Sequence, residues 1–200
     1  SIIYKVNVFT KEIRHHLHVH EGVVMPKVLN NMREILLEKT KQVVNEEGYT
    51  AFSMRNIATQ CGIAPGTSYN YFHSKDDMIA AFVMDDWKLA LNEIRLQAKK
   101  QPDIISELEC LYNGVVAFCE NHASLMRDSN AINSFYKRSF EYHTQLTEEL
   151  GSIINPTLEK CAVNYTPYLT HFLSENTIYC AVRGYSFESL REVIMPLFKA

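Results

Sequence analysis

Between Pro65 and Lys75 the chain crowds Thr67, Tyr69, Asn70, Tyr71, His73 and Lys75 onto one short segment. Hydroxyl, phenol, amide, imidazole and ammonium groups of this kind hydrogen-bond phosphate oxygens and the edges of bases, and Asn is suited to adenine. A helix this short buries little, so polar groups placed on it point to recognition rather than to core. Other constellations are weaker. Cys119-x-x-His122 has ligand-like spacing but lacks a convincing second pair, so a metal site is not expected there. His15, His16, His18 and His20 can ligate a metal in principle, but read as part of a flexible arm or of upstream sequence. There is no phosphate-cradling Gly loop, no H-E-x-x-H and no carboxylate pair at a useful spacing. Glu46-Glu47 and Glu148-Glu149 read as solvated faces. No catalytic residue, metal or cofactor is expected, and an enzyme is disfavoured.

Composition sets the frame for these groups. The chain has 200 residues, 46% of them hydrophobic and 22% charged, with a formal net charge of -3. That is enough for one or two domains with real cores. No run approaches the ~20 apolar residues of a membrane span, and no secretory signal is legible, so no membrane partner is expected. Cys61, Cys110, Cys119, Cys161 and Cys180 are odd in number and scattered, which suits reduced thiols in a cytoplasmic protein. Seven basic against eight acidic residues lie between Met25 and Ala90, so a nucleic-acid surface here must be local rather than broad.

The elements that must position the polar segment are helical. From Asn30, Met32, Ile35, Leu36, Val43 and Val44 recur at three- and four-residue spacing, and Gly48 ends the pattern. Ser53 starts a short helix with Ile57 and Ala58 inward. Cys61-Gly62-Ile63 then forms a tight turn, and Pro65 opens a second short helix reaching about Phe72. Ser74 caps a long helix carrying Met78, Ile79, Phe82, Trp87, Leu91 and Ile94, which ends near Pro102. Asp103 caps the next, Ile104 to Asn121. A short piece and a helix from about Ile132 to Ile154 follow. Pro156 to Pro167 carries turn signals at both ends, with Leu158 to Val163 as an alternative helix continuing the core. A helix over Tyr168 to Tyr185 has a possible bend at Gly184, and a last short helix, interrupted by Pro196, spans Phe187 to Phe198. Residues 1–24 alternate weakly at Val6, Val8 and Thr10 and read as an extension of uncertain origin. Two short helices across a tight turn are the arrangement that lays the second helix in a major groove.

At this level of detail Arg33 through Ile79 resembles the DNA-binding domain of TetR-family transcriptional regulators. The residues that carry the resemblance are Ile35-Leu36 to Val43-Val44, Gly48-Tyr49, Ser53, Ile57-Ala58, Gly62-Ile63, Gly66-Thr67, Tyr69, Tyr71-Phe72 and Ser74-Lys75. The resemblance implies an all-α homodimer. An N-terminal three-helix domain with the helix-turn-helix is linked by a long helix to a C-terminal ligand-binding and dimerisation domain. The expected limits are 1–24 extension, 25–77 DNA-binding domain and 78–200 effector and dimerisation domain. The DNA-contacting set it implies is Arg55, Pro65, Gly66, Thr67, Tyr69, Asn70, Tyr71, His73 and Lys75, with Tyr69 on a phosphate and Lys75 on the backbone. Ala64 stands where the family often has a capping Ser. Ser68 stands where an apolar residue is usual, which predicts looser packing.

The second half offers aromatics. Tyr112, Phe118, Phe135, Phe140, His143, Tyr168 and Phe172 are the expected lining of an apolar pocket, with Arg127, Arg138 and His171 as further polar anchors. Leu173, Ile178, Ala181, Val182, Leu190, Val193, Ile194 and Leu197 form apolar faces on the last two helices, expected to pair across a four-helix dimer interface. The expected partners are double-stranded DNA, a second copy of the chain and an unknown small-molecule effector. The expected function is a repressor released from a palindromic operator by an apolar or aromatic ligand. An activator of the same family, or a helical protein-interaction module without DNA binding, is the alternative.

Overall fold

The computed structural model describes residues 27–129, 131, 139–161 and 165–198. The extension 1–24 with its histidine cluster, Phe135 and Arg138 lie outside the described residues, as does the side chain of Phe140. The chain divides into two compact units, Ser1–Glu34 and Ile35–Ala200, and the packing below is that of the second.

Every element among the described residues is helical: α1 Lys27–Glu47, α2 Met54–Gln60, a 3-10 segment Pro65–Asn70, α3 Lys75–Ala98, α4 Ile104–Asn121, α5 Ala123–Arg127, α6 Ser139–Cys161, α7 Pro167–Arg183, α8 Phe187–Ile194 and a 3-10 turn Met195–Leu197. Local chemistry fixes most of the limits. Ser53, Ser74, Asp103, Thr166 and Ser186 each accept a backbone N–H at the start of their helix. Gly184 does not bend α7 but ends it. With φ at 74°, its N–H reaches the Ala181 carbonyl and the next N–H, of Tyr185, reaches that of Cys180. Pro156 lies inside α6 rather than at its end. It is exposed, as is Ser152 one turn earlier, so the carbonyl left without an amide partner faces solvent.

Two sets of buried side chains share α3. Met78, Ile79 and Phe82 are buried at its start, as are Leu36, Leu37, Val43 and Val44 of α1 and Ile57 and Ala58 of α2. Ile35, expected inward, is exposed. From Trp87 onward α3 joins the main core with Leu108, Leu111, Val115 and Phe118 of α4, Leu150, Ile154 and Leu158 of α6, Leu173 and Ile178 of α7, and Leu190 and Ile194 of α8. Each fully buried aliphatic side chain contributes roughly 1.5–3 kcal/mol. α4 is the central element, packed against α3, α6, α7 and α8. Its Gly114 meets α3 so closely that an added Cβ would stand 2.3 Å from Cγ1 of Ile94. The Trp87 indole donates to Glu149 at 2.6 Å, so that carboxylate is engaged with the core rather than solvated as expected.

Candidate nucleic-acid interface

The scaffold of the helix-turn-helix is built from backbone geometry. Ser53 Oγ accepts from the Asn56 N–H at 3.1 Å and starts α2. At its other end the Gly62 N–H reaches the Thr59 carbonyl, and the Ile63 N–H the Ala58 carbonyl. Gly62 stands at φ 71°, where a side chain would be strained. Pro65 then opens the second segment, Thr67 N–H closing on the Ala64 carbonyl at 2.8 Å. Ala64 supplies no side-chain cap. The segment winds as a 3-10 helix over Pro65–Asn70, tighter and shorter than the α-helix expected to reach Phe72.

Buried Ser68 and Phe72 hold this segment to the domain. Ser68 was expected to loosen the packing. Instead its Oγ donates to the Pro65 carbonyl at 2.8 Å, so the hydroxyl is fully buried yet satisfied within its own turn. With those two residues inward, Gly66, Tyr69, Asn70 and His73 are exposed, and Arg55 is exposed on α2. Pro65, Thr67 and Tyr71 are half-buried beside them. The exposed groups are an imidazole, an amide, a phenol that is 53% accessible and a guanidinium, the donors that phosphate and base edges require.

Lys75 behaves differently from its neighbours. Its Nζ donates to the Tyr49 carbonyl at 2.6 Å and lies 3.9 Å from the centroid of the Tyr49 ring, with the Phe52 ring at 5.4 Å. Burial lowers its pKa below the usual lysine range, while Asp76 and Asp128 act to raise it. Tyr49 also donates its phenol to Asp76 at 2.8 Å, joining the end of α1 to the first turn of α3. The family resemblance assigned Lys75 to the DNA backbone. The Gly48-Tyr49 pair just past α1 was the available signal for this aromatic cradle. Cys61 in the turn is a thiol whose pKa burial pushes up, so it stays neutral.

Beyond α3, the described residues of the expected pocket do not line one cavity together. Tyr112 donates to the Tyr185 carbonyl at 2.8 Å, and Phe118 packs edge-on to Trp87 at 5.1 Å. Tyr168 is exposed, Phe172 half-buried, and His143 faces Glu175 at 3.6 Å. A groove of about 930 Å³ between α1, α3 and α4 is bordered by Phe118 but by none of the other four. A cavity of about 470 Å³ between α6 and α7 is bordered by His171. Arg127 is exposed at the end of α5. On the last helices Leu173, Ile178, Ala181, Leu190 and Ile194 are buried in the chain's own core, correcting their assignment to a dimer face. Val182, Val193 and Leu197 are exposed there, as are Tyr179 and Tyr185.

One connection escaped the sequence reading. His122, weighed only as a partner of Cys119, directs its Nε2 at Asp86 of α3, 3.1 Å away, and Asp86 pairs with Lys41 of α1 at 2.8 Å. The two ends of the first contact are 36 positions apart, and no local pattern links them.

Comparison with known proteins agrees with this geometry. Residues 36–82, which hold the helix-turn-helix, match the family described as bacterial regulatory proteins, tetR family. The HTH-type transcriptional regulator UidR of Escherichia coli is 35% identical over 63 residues, 32% of this chain and 32% of that protein. The chain thus spans about a third of the length of that curated relative. An uncharacterized HTH-type regulator of Bacillus subtilis, YvdT, is 28% identical over 102 residues, covering 51% of this chain and 53% of its own. In fold, a TetR-family regulator from Pectobacterium atrosepticum superposes with a TM-score of 0.69 at 16% identity, over 88% of this chain and 98% of that one. A second from Syntrophomonas wolfei superposes at 0.56 and 18% identity, over 84% and 92%. The helix-turn-helix at 53–72 thus lies within the stretch that matches the tetR family of bacterial regulatory proteins, and the all-helical body behind it shares the fold of the TetR-family regulators on which it superposes.

Proposed function

We propose that the chain is a cytoplasmic DNA-binding transcriptional regulator that acts as a homodimer, repressing from a palindromic operator until a small effector releases it. The observation that carries this reading is the surface formed by Arg55, Tyr69, Asn70 and His73. These polar side chains are exposed on two short segments, while buried Ile57, Ala58, Ser68 and Phe72 fix the backbone. Neither catalysis nor core packing calls for that distribution. Phosphate and base-edge recognition does.

Dimerisation through α7 and α8 is supported by Val182, Val193 and Leu197, which remain exposed after the core is complete. A two-fold pairing sets two reading segments about one DNA turn, or a multiple of it, apart. The apolar or aromatic effector has weaker support, because the described aromatics of the body are spent on one another and on the core. No helix among the described residues is long and apolar enough to cross a membrane.

Operator selection with the purified chain from a random duplex library tests the reading. Enrichment of a palindrome is the expected result. Recovery of unrelated sequences with no inverted repeat would overturn it.

A further inference from the structure

We propose that Asp128 and Thr50 tie the helical body to the DNA-reading head, and so set how strictly the dimer selects the spacing between the halves of its operator. The inference rests on the functional reading above, whose homodimer and inverted repeat it takes further. Thr50 lies in the loop between α1 and α2, and Asp128 directly follows α5, 78 positions later in the chain. The Thr50 hydroxyl donates to Asp128 Oδ2 at 3.3 Å. The other carboxylate oxygen, Oδ1, accepts from the Ala131 N–H at 3.1 Å. One side chain thus divides its oxygens between the loop of the head and the backbone of the body.

Among the described residues, the apolar core of the body includes no side chain of α1 or α2. The head is joined to it by α3, one continuous helix over Lys75–Ala98, and by polar contacts at the two ends of α5. At the first end His122 stands 3.1 Å from Asp86, the partner of Lys41 of α1. At the second stands Asp128. A single connecting helix leaves the head free to bend and twist about it. A second attachment, made by a different element, removes that freedom.

The loop that Asp128 holds is itself firm. Tyr49 gives its carbonyl and the face of its ring to Lys75, and its phenol donates to Asp76. Asp128 is also close enough to act on the Lys75 ammonium. Thr50 shortly precedes Ser53, the cap of α2. The grip on Thr50 therefore reaches both the first turn of α3 and the start of the helix-turn-helix.

A dimer on an inverted repeat meets a strict geometric demand. One added base pair moves a half-site about 3.4 Å along the DNA axis and roughly 35° around it. A head fixed to its body misses the displaced half-site. A head on a looser joint reaches it, but loses more freedom on binding the correct one.

The test uses the full-length chain, the operator selected with it, copies of that operator with one or two base pairs added or removed between the halves, and a single half-site. Thr50→Val keeps the shape of the side chain and the Asp128–Ala131 contact but removes the donor. It should weaken binding to the selected operator roughly fivefold, the low end of coupling between sites. It should also lose less than the wild type when the spacing is changed. Affinity for the single half-site and the salt slope should match the wild type. Asp128→Ala should behave alike, the double variant should be no worse than either single one, and Thr50→Ser should restore strict spacing. Unchanged discrimination between spacings, or a uniform loss on every spacing and on the half-site, would overturn the proposal. Hydrogen exchange without DNA reads the contact directly. Amides of residues 48–52 should exchange faster in Thr50→Val than in the wild type or Thr50→Ser, and equal rates in all three would overturn the tie. A wild-type selection without an inverted repeat sinks the functional reading instead, and the exchange rates then decide the tie by themselves.

Discussion

Lys75 and Tyr49 are joined twice: the lysine Nζ donates to the tyrosine carbonyl at 2.6 Å and stands 3.9 Å from the centroid of the same residue's ring. The pair ties the loop after α1 to the first turn of α3. The ammonium that the family pattern assigns to the DNA backbone is occupied in holding that loop.

Replacing Lys75 with Met should therefore act through stability. Losing one hydrogen bond and one cation–π contact costs about 1–2 kcal/mol, less what is recovered by no longer desolvating a charge. Operator affinity should fall while the slope of log K against log salt stays unchanged, whereas loss of a phosphate contact lowers that slope by about 0.9. The pH effect has a definite sign. Burial lowers the folded-state pKa of Lys75, so just below the usual lysine value the unfolded chain binds more protons and this residue's contribution to stability rises with pH. Denaturant midpoints at pH 8 to 10 for wild type and Lys75→Met measure it.

Tyr69 and Arg55 should behave in the opposite way. Both are exposed, so Tyr69→Ala and Arg55→Ala should change folding stability by no more than about 0.5 kcal/mol. Each should weaken operator binding about tenfold, the scale of one hydrogen bond to a charged group, and Arg55→Ala should also flatten the salt slope. Fluorescence anisotropy across a salt series reads both.

Ser68 offers a comparison of two substitutions. Ser68→Leu restores the residue type usual in the family, yet the site is fully buried around a small hydroxyl bonded to Pro65. Overpacking there should cost about 1–3 kcal/mol. Ser68→Ala forfeits one neutral hydrogen bond, about 0.5–1.5 kcal/mol. Thermal melts that rank Leu above Ala in stability would refute this account of the turn.

The exposed residues of α7 and α8 make a prediction about assembly. Val193 is 63% exposed and Leu197 is 48% exposed. Val193→Glu should convert a dimer to a folded monomer in sedimentation equilibrium, with unchanged helical circular dichroism. A core residue gives a different signature: Leu190→Ala should cost about 2–5 kcal/mol in stability.

What could be read from the sequence was what is locally determined. Ser53, Ser74 and Asp103 announce helix starts because a cap needs only its own next few amides, and Gly48 and Gly62 announce ends because φ is a property of one residue. The limits of α4 were readable for that reason. Pro156 misled because a proline in a helix is decided by whether the freed carbonyl meets solvent. The last helices misled because α7 is apolar on more than one side. Leu173, Ile178 and Ala181 face its own core while Val182 and Tyr179 face out, and periodicity alone does not say which side a partner covers. The contacts of Lys75 and His122 were not legible because the groups that capture them, Tyr49 and Asp86, are distant in the chain.

The crossing at Gly114 bears on how a signal could travel. Because Ile94 fills the space a side chain on Gly114 would take, α3 cannot slide past α4 without lifting Ile94 out of its seat. Were the body end of α3 displaced, helices keyed together in this way would move as one piece rather than shift in register, with the seat of Ile94 over Gly114 as the point that holds them.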